Sequence, residues 1–205
     1  MTAGNEPPLR APHVVGPDDE AVLAARLAAR DPAALRDVIM RHAGALHRTA
    51  FRMTGDGHEA EDIVQEACLR LWDQAPAIAA RHPVGSRAAD TLRLGGWLRR
   101  VVTNLAIDRL RRARRLSDGA VPDREDDAPR ADALIEADER DGLARRLVLG
   151  LPERQRAAIV LTYYEDLSNA EAAEAMKMNI KAFESLLHRA RAALRQAFAA
   201  QGGTP

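Results

Sequence analysis

Residues 168–199 carry the arrangement that leaves this chain the fewest options. Ser168-Asn169-Ala170-Glu171 has the spacing of a capping box, in which a serine hydroxyl and a glutamate three residues on close the first turn of a helix reciprocally. The helix it opens runs through Met176, Lys177 to Asn179 break it, and a final amphipathic helix follows from about Ile180 to Ala199. On that helix Phe183, Leu186, Leu187, Ala190 and Leu194 recur at helical spacing and form one buried stripe. Lys181, Ser185, His188 and Arg189 lie opposite it, and Arg191 and Arg195 stand at its flank. Two helices joined by a tight turn, the second with a polar and cationic outer face, predict a helix-turn-helix whose last helix meets base edges and phosphates.

The rest of the chain is also written for helices. Only 3% of its 205 residues are aromatic while 46% are hydrophobic, a mixture rich in Ala, Leu and Arg that favours an all-α fold. Residues 1–18 hold four prolines and little apolar periodicity and read as a flexible tail. Asp31-Pro32 reads as an N-cap with proline in the first turn, opening a helix to about Thr54. Gly55-Asp56-Gly57 marks a turn, and a further helix is expected from about His58 to Gln74. Ala75 to Gly96 contains two prolines and three glycines and reads as an irregular connection with at most a short helical turn. Leu94, Leu98, Val101, Val102 and Leu105 then define a helix that ends in an arginine run. Pro152-Glu153 starts another, continuing to Tyr164.

The formal charge is zero, but the charges are segregated. Arg93 to Arg115 holds eight arginines against Asp108 alone, and the residues that follow are mostly acidic. These boundaries predict two small helical domains, residues 19–116 and 133–199, joined by a flexible acidic linker at 117–132, with a short tail at 200–205.

Two further faces carry functional signals. On the helix after Gly57, Ala60, Ile63, Val64, Ala67 and Leu71 complete a core stripe, and the other side presents Asp62, Gln65, Glu66 and Leu69. A leucine among carboxylates on a polar face suits a protein contact, the charges orienting and the leucine anchoring. A rival reading makes His58, Glu61 and Asp62 a metal or acid/base cluster, with His58 and Asp62 one helical turn apart. The basic helix with Asn104, Asp108, Arg109, Arg111 and Arg112 can track a nucleic-acid backbone, and Trp97 either stacks on unpaired bases or fills the core. The single cysteine, Cys68, excludes a disulfide framework within the chain and reads as packing.

These residues together resemble a known family. His58-Glu59-Ala60-Glu61-Asp62-Ile63-Val64-Gln65-Glu66 followed by Leu69-Arg70-Leu71-Trp72 resembles the second-domain signature of extracytoplasmic-function (ECF) sigma factors. Gly96-Trp97-Leu98 with Asn104 to Arg112 is similar to the promoter-reading helix of that domain. Leu151 to Arg156, Ser168 to Ala173 and His188 to Arg195 resemble the fourth domain, although Lys177 stands where many relatives have glycine and Leu186 where many have arginine.

The resemblance implies a region 2 helical bundle and a region 4 helix-turn-helix. Asp62, Gln65, Glu66 and Leu69 would dock on the β′ clamp helices of core RNA polymerase. Asn104, Asp108, Arg109, Arg111 and Arg112 would serve the −10 element and strand opening, and Lys181, Ser185, His188, Arg189 and Arg191 the −35 element in the major groove. It further implies contact with the β flap, control by an anti-sigma factor, no catalytic residue, no cofactor and no metal. No apolar run approaches a membrane span, so no membrane insertion and a cytoplasmic protein are expected. The competing readings are a stand-alone helix-turn-helix regulator and a metal-dependent hydrolase at His58.

Overall fold

The computed structural model describes residues 17–118 and 139–201. The expected N-terminal tail up to residue 16, the linker from residue 119, the expected domain start at 133 and the last four residues lie outside them. Among the described residues there are eight α-helices, one 3-10 turn and no strand: α1 (Pro17–Ala28), α2 (Pro32–Thr54), α3 (Gly57–Arg81), the 3-10 turn Ala89–Thr91, α4 (Leu94–Asp118), α5 (Glu139–Leu149), α6 (Glu153–Tyr163), α7 (Asn169–Ala175) and α8 (Ile180–Ala200). The all-α expectation holds.

Local chemistry sets most boundaries. Asp31 caps α2, its Oδ1 accepting from the Ala33 amide at 2.9 Å, with Pro32 at the position where a missing N–H costs nothing. The other end of α2 closes on Gly55 at φ +78°, left-handed backbone that glycine adopts without a Cβ clash. Asp56 then caps α3 through the Glu59 amide at 3.0 Å. The first amide of α4 is satisfied from a distance: Leu94 N–H donates to Glu20 of α1 at 2.6 Å, which also sets a carboxylate against the positive end of the helix dipole.

One expectation is corrected. Residues 75–81 are not an irregular connection but the last two turns of α3, which runs through Pro76. A proline inside a helix takes away the hydrogen bond to the carbonyl four residues back, here that of Trp72. Arg30, from the α1–α2 turn, donates to that carbonyl at 2.7 Å and lies over the Trp72 ring, with its guanidinium carbon 5.2 Å from the ring centroid. A tertiary donor replaces the lost bond, and the buried Ala75 and Ile78 reward the continuation. After it, Ser86 and Ala88 hold the 83–91 connection through short-range bonds to Pro83, Thr91 and His82.

Helices α1 to α4 enclose one core, with Leu27, Val38, Met53, Ile63, Leu71, Ile78, Leu94, Leu98 and Val102 all but inaccessible. In α5 to α8, Leu161, Phe183 and Leu187 are the buried centre, and of the stripe read on α8 Phe183, Leu186, Leu187 and Ala190 are buried while Leu194 is partly so. Truncating a residue such as Phe183 to alanine costs about 3–5 kcal/mol.

Candidate nucleic-acid and protein interfaces

The capping box at Ser168 is complete. Glu171 N–H donates to Ser168 Oγ at 3.3 Å, and Ser168 N–H donates to Glu171 Oε2 at 2.9 Å. This fixes α7, and Lys177 makes the turn into α8 at φ +52°. Asn179 caps α8 through the Ala182 amide at 2.8 Å. The first turns of α8 therefore present an ordered outer face, on which Lys181, Ser185, His188 and Arg189 are all exposed. Glu184 is exposed among them and was not singled out from sequence; its carboxylate can accept from a cytosine amino group. Its position midway between Lys181 and His188 was the available signal. Arg191 is placed apart from this face. It stacks on Tyr163, 5.4 Å from the ring centroid, and lines an apolar groove of about 790 Å³ with Leu147, Leu194 and Phe198.

On α3 the outer face is as expected: Asp62 and Gln65 are exposed and Leu69 is 56% accessible. Beside it, Leu35, Ile39, Val64, Cys68 and Leu69 line an apolar groove of about 400 Å³ between α2 and α3. Burial pushes the Cys68 thiol up, away from the reactive thiolate. Glu66 is different. It accepts from Arg109 at 3.0 Å and from Arg70 at 2.5 Å, and the Arg109 guanidinium, ahead of Arg70, holds its carboxyl below the usual carboxylate range. Arg109 also donates to Glu59 at 3.0 Å and stands 3.9 Å from Asp62. The structure thus joins a residue expected at DNA to three carboxylates of the expected polymerase-binding helix.

The remaining α4 residues divide. Asp108 and Arg112 are exposed, whereas Asn104 and Arg111 are half-buried. Asn104 donates to the carbonyl of Ala175 in α7 at 3.0 Å, and Arg111 stands 3.9 Å from Glu153 in α6. Trp97 is partly buried on the core and lines a 370 Å³ pocket with Arg93, Arg99, Arg100, Glu171 and Glu174. Among the described residues no cluster of three His, Cys, Asp or Glu side chains is arranged to hold a metal ion, and no helix is long and apolar enough to cross a membrane.

The two halves match two family models: residues 38–116 match Sigma-70 region 2, and residues 142–194 match Sigma-70, region 4. The chain belongs to the ECF sigma factors of the sigma-70 family. It is 34% identical over 179 residues to the ECF RNA polymerase sigma factor SigL of Mycobacterium tuberculosis, covering 82% of this chain and 90% of that one. It is 32% identical over 163 residues to the ECF sigma factor SigE of Mycolicibacterium smegmatis, covering 78% of this chain and 59% of the longer relative. The fold is shared with CnrH, solved in complex with the cytosolic domain of CnrY, at a TM-score of 0.59 and 24% identity over 88% of this chain and 97% of that one. It is also shared with the sigma factor RpoE of Bartonella quintana, solved with the anti-sigma factor NepR, at a TM-score of 0.57 and 22% identity over 78% and 94%. As an ECF sigma factor, this chain is a transcription initiation factor whose region 2 and region 4 domains bind RNA polymerase and promoter DNA.

Proposed function

We propose that the two domains divide the promoter between them as follows. The outer face of α8, with Lys181, Ser185, His188 and Arg189, enters the major groove at the −35 element, where short polar and cationic side chains near a helix N-terminus meet base edges and phosphates. The α4 face, with Asn104, Asp108, Arg111 and Arg112, engages the −10 element, and capture of extruded bases offsets unstacking costs of a few kcal/mol per step. Asp62, Gln65 and Leu69 dock on the β′ clamp helices, with Glu66 held in place beside them by Arg109. The apolar groove along Tyr163, Leu194 and Phe198 takes the β flap. The solved relatives with CnrY and NepR support control by an anti-sigma factor, and such a factor works in the cytoplasm.

The observation that carries this reading is the coexistence, in one chain, of an ordered cationic α8 face, a basic α4 and an acidic α3 face with an exposed leucine. Run-off transcription with core polymerase over a genomic promoter library tests it. Start-site selection that depends on the added protein is expected; transcripts identical with and without it would refute the reading.

A further inference from the structure

Two exposed residues at the start of α8 are accounted for neither by packing nor by pairing. Ile180, the first residue of the helix, is 46% accessible and takes no part in the core that Phe183, Leu186 and Leu187 help to form. Glu184 is exposed one turn further on. Lys181 and His188 are within helical reach of it, yet among the described residues no ion pair or hydrogen bond engages its carboxylate. On α3 the same spacing is used, where Glu66 pairs with Arg70 at 2.5 Å. Positions four apart share one edge of a helix, so Ile180 and Glu184 form a continuous edge beside Lys181 and His188 on the outer face. Asn179, whose Oδ1 accepts from the Ala182 amide at 2.8 Å, fixes the turn from which that edge begins.

We propose that Ile180 and Glu184 are specificity-determining residues that read two neighbouring pyrimidines in the major groove, Glu184 the amino group of a cytosine and Ile180 the methyl group of an adjacent thymine. This rests on the assignment of the α8 outer face to the −35 element. A phosphate backbone gives neither side chain a partner, and it repels the carboxylate. Base edges do supply partners. Cytosine presents an amino donor with no acceptor of its own beside it, whereas adenine sets its amino group next to the N7 acceptor, and guanine and thymine present oxygens that repel a carboxylate. Thymine alone carries a methyl group on the groove edge.

The spacing suits adjacent bases. Cβ atoms four residues apart on a helix stand about 5–6 Å from one another. Successive bases rise about 3.4 Å along a strand, so one helical turn spans neighbouring base pairs. The division of labour on α8 follows. Lys181 and Arg189 attract the duplex whatever its sequence, and Glu184 subtracts from that attraction except where a cytosine amino group meets it. The carboxylate therefore acts on discrimination more than on affinity.

The test uses the holoenzyme formed by the full chain and core polymerase. Start sites recovered from a genomic promoter library give the −35 sequence, and one promoter is then varied base pair by base pair within it. Open-complex formation is titrated for the wild type and for Glu184→Ala, Glu184→Gln and Ile180→Ala. Replacing one C·G pair by T·A should weaken the wild type about tenfold, about 1.4 kcal/mol, and Glu184→Ala less than threefold. Glu184→Gln should shift the preference at that position toward adenine, whose N6 and N7 a glutamine side chain engages together. Replacing the neighbouring thymine by uracil removes only the methyl group; it should weaken the wild type about threefold and leave Ile180→Ala unchanged. A recovered −35 sequence without a cytosine beside a thymine overturns the proposal. So does a C·G penalty equal in the wild type and Glu184→Ala, or a uracil penalty that persists in Ile180→Ala. Lys181→Ala and Arg189→Ala report on the underlying assignment: unchanged titrations with both overturn it together with the proposal, whereas weakened binding with an unaltered C·G penalty in Glu184→Ala overturns the proposal alone.

Discussion

Arg109→Met decides whether Arg109 serves DNA or holds region 2 together. Methionine keeps most of the apolar stem and removes the guanidinium, so packing against α3 is largely retained. The two lost charge-assisted hydrogen bonds, to Glu59 and Glu66, would be worth about 1.5–3 kcal/mol each if fully buried. Glu59 and Glu66 are 38% and 37% exposed, however, and solvent screening brings each contribution to about 1 kcal/mol or less. The expected loss is about 1–2 kcal/mol, or roughly 1 M in the urea midpoint of a domain this size. Both tryptophans, Trp72 and Trp97, lie in α3 and α4, so their fluorescence reports region 2 unfolding by itself. The pH dependence has a definite sign. Arg109 lowers the Glu66 carboxyl, so its stabilisation is complete above the ordinary value of 4.5 and is lost as pH falls through the depressed folded value. The gap between wild type and variant should therefore be full at pH 7 and narrow toward pH 3. Equal midpoints at pH 7, together with impaired −10 binding, would refute the stapling role and return Arg109 to the DNA surface.

Three further outcomes are expected. Asp62→Arg, at a side chain 67% exposed, should weaken core polymerase binding at least tenfold in a competition assay while leaving the circular dichroism spectrum unchanged; undiminished binding would remove α3 from the docking surface. Burial lowers the pKa of His42, whose Nε2 has no hydrogen-bond partner, so the imidazole is folded in neutral form and stability should fall as pH drops below about 6.5. Urea titrations of His42→Gln and wild type between pH 7.5 and 5 check this: the variant should lose the histidine-linked part of the slope. Lys177→Gly should stabilise the helix-turn-helix by about 0.5 kcal/mol, because relief of left-handed backbone at φ +52° slightly outweighs the added chain entropy of glycine. A lower thermal midpoint of α5–α8 in that variant would contradict the strain argument.

Much of the fold was legible because its signals are local. The caps at Asp31 and Ser168 act within three residues of the amides they satisfy, and the stripes on α3 and α8 depend only on helical periodicity. The outer faces of those helices follow from the same arithmetic, which is why Asp62, Leu69, Lys181 and His188 are exposed as expected. Where the reading went astray, the deciding partner was far away in sequence. Pro76 marked a break on every local rule, and Arg30, brought over from the α1–α2 turn, replaced the missing donor.

The amino-acid sequence by itself determined an all-helical chain, the helix-turn-helix, the segregated charges and the family to which they belong. Tertiary structure alone decided what the charges touch. Periodicity assigns an arginine to a face, but a long flexible side chain then selects its partner from whatever packs opposite. Arg109 turned inward to Glu59 and Glu66, Arg191 to Tyr163, and Arg99 and Arg100 to carboxylates of the other domain.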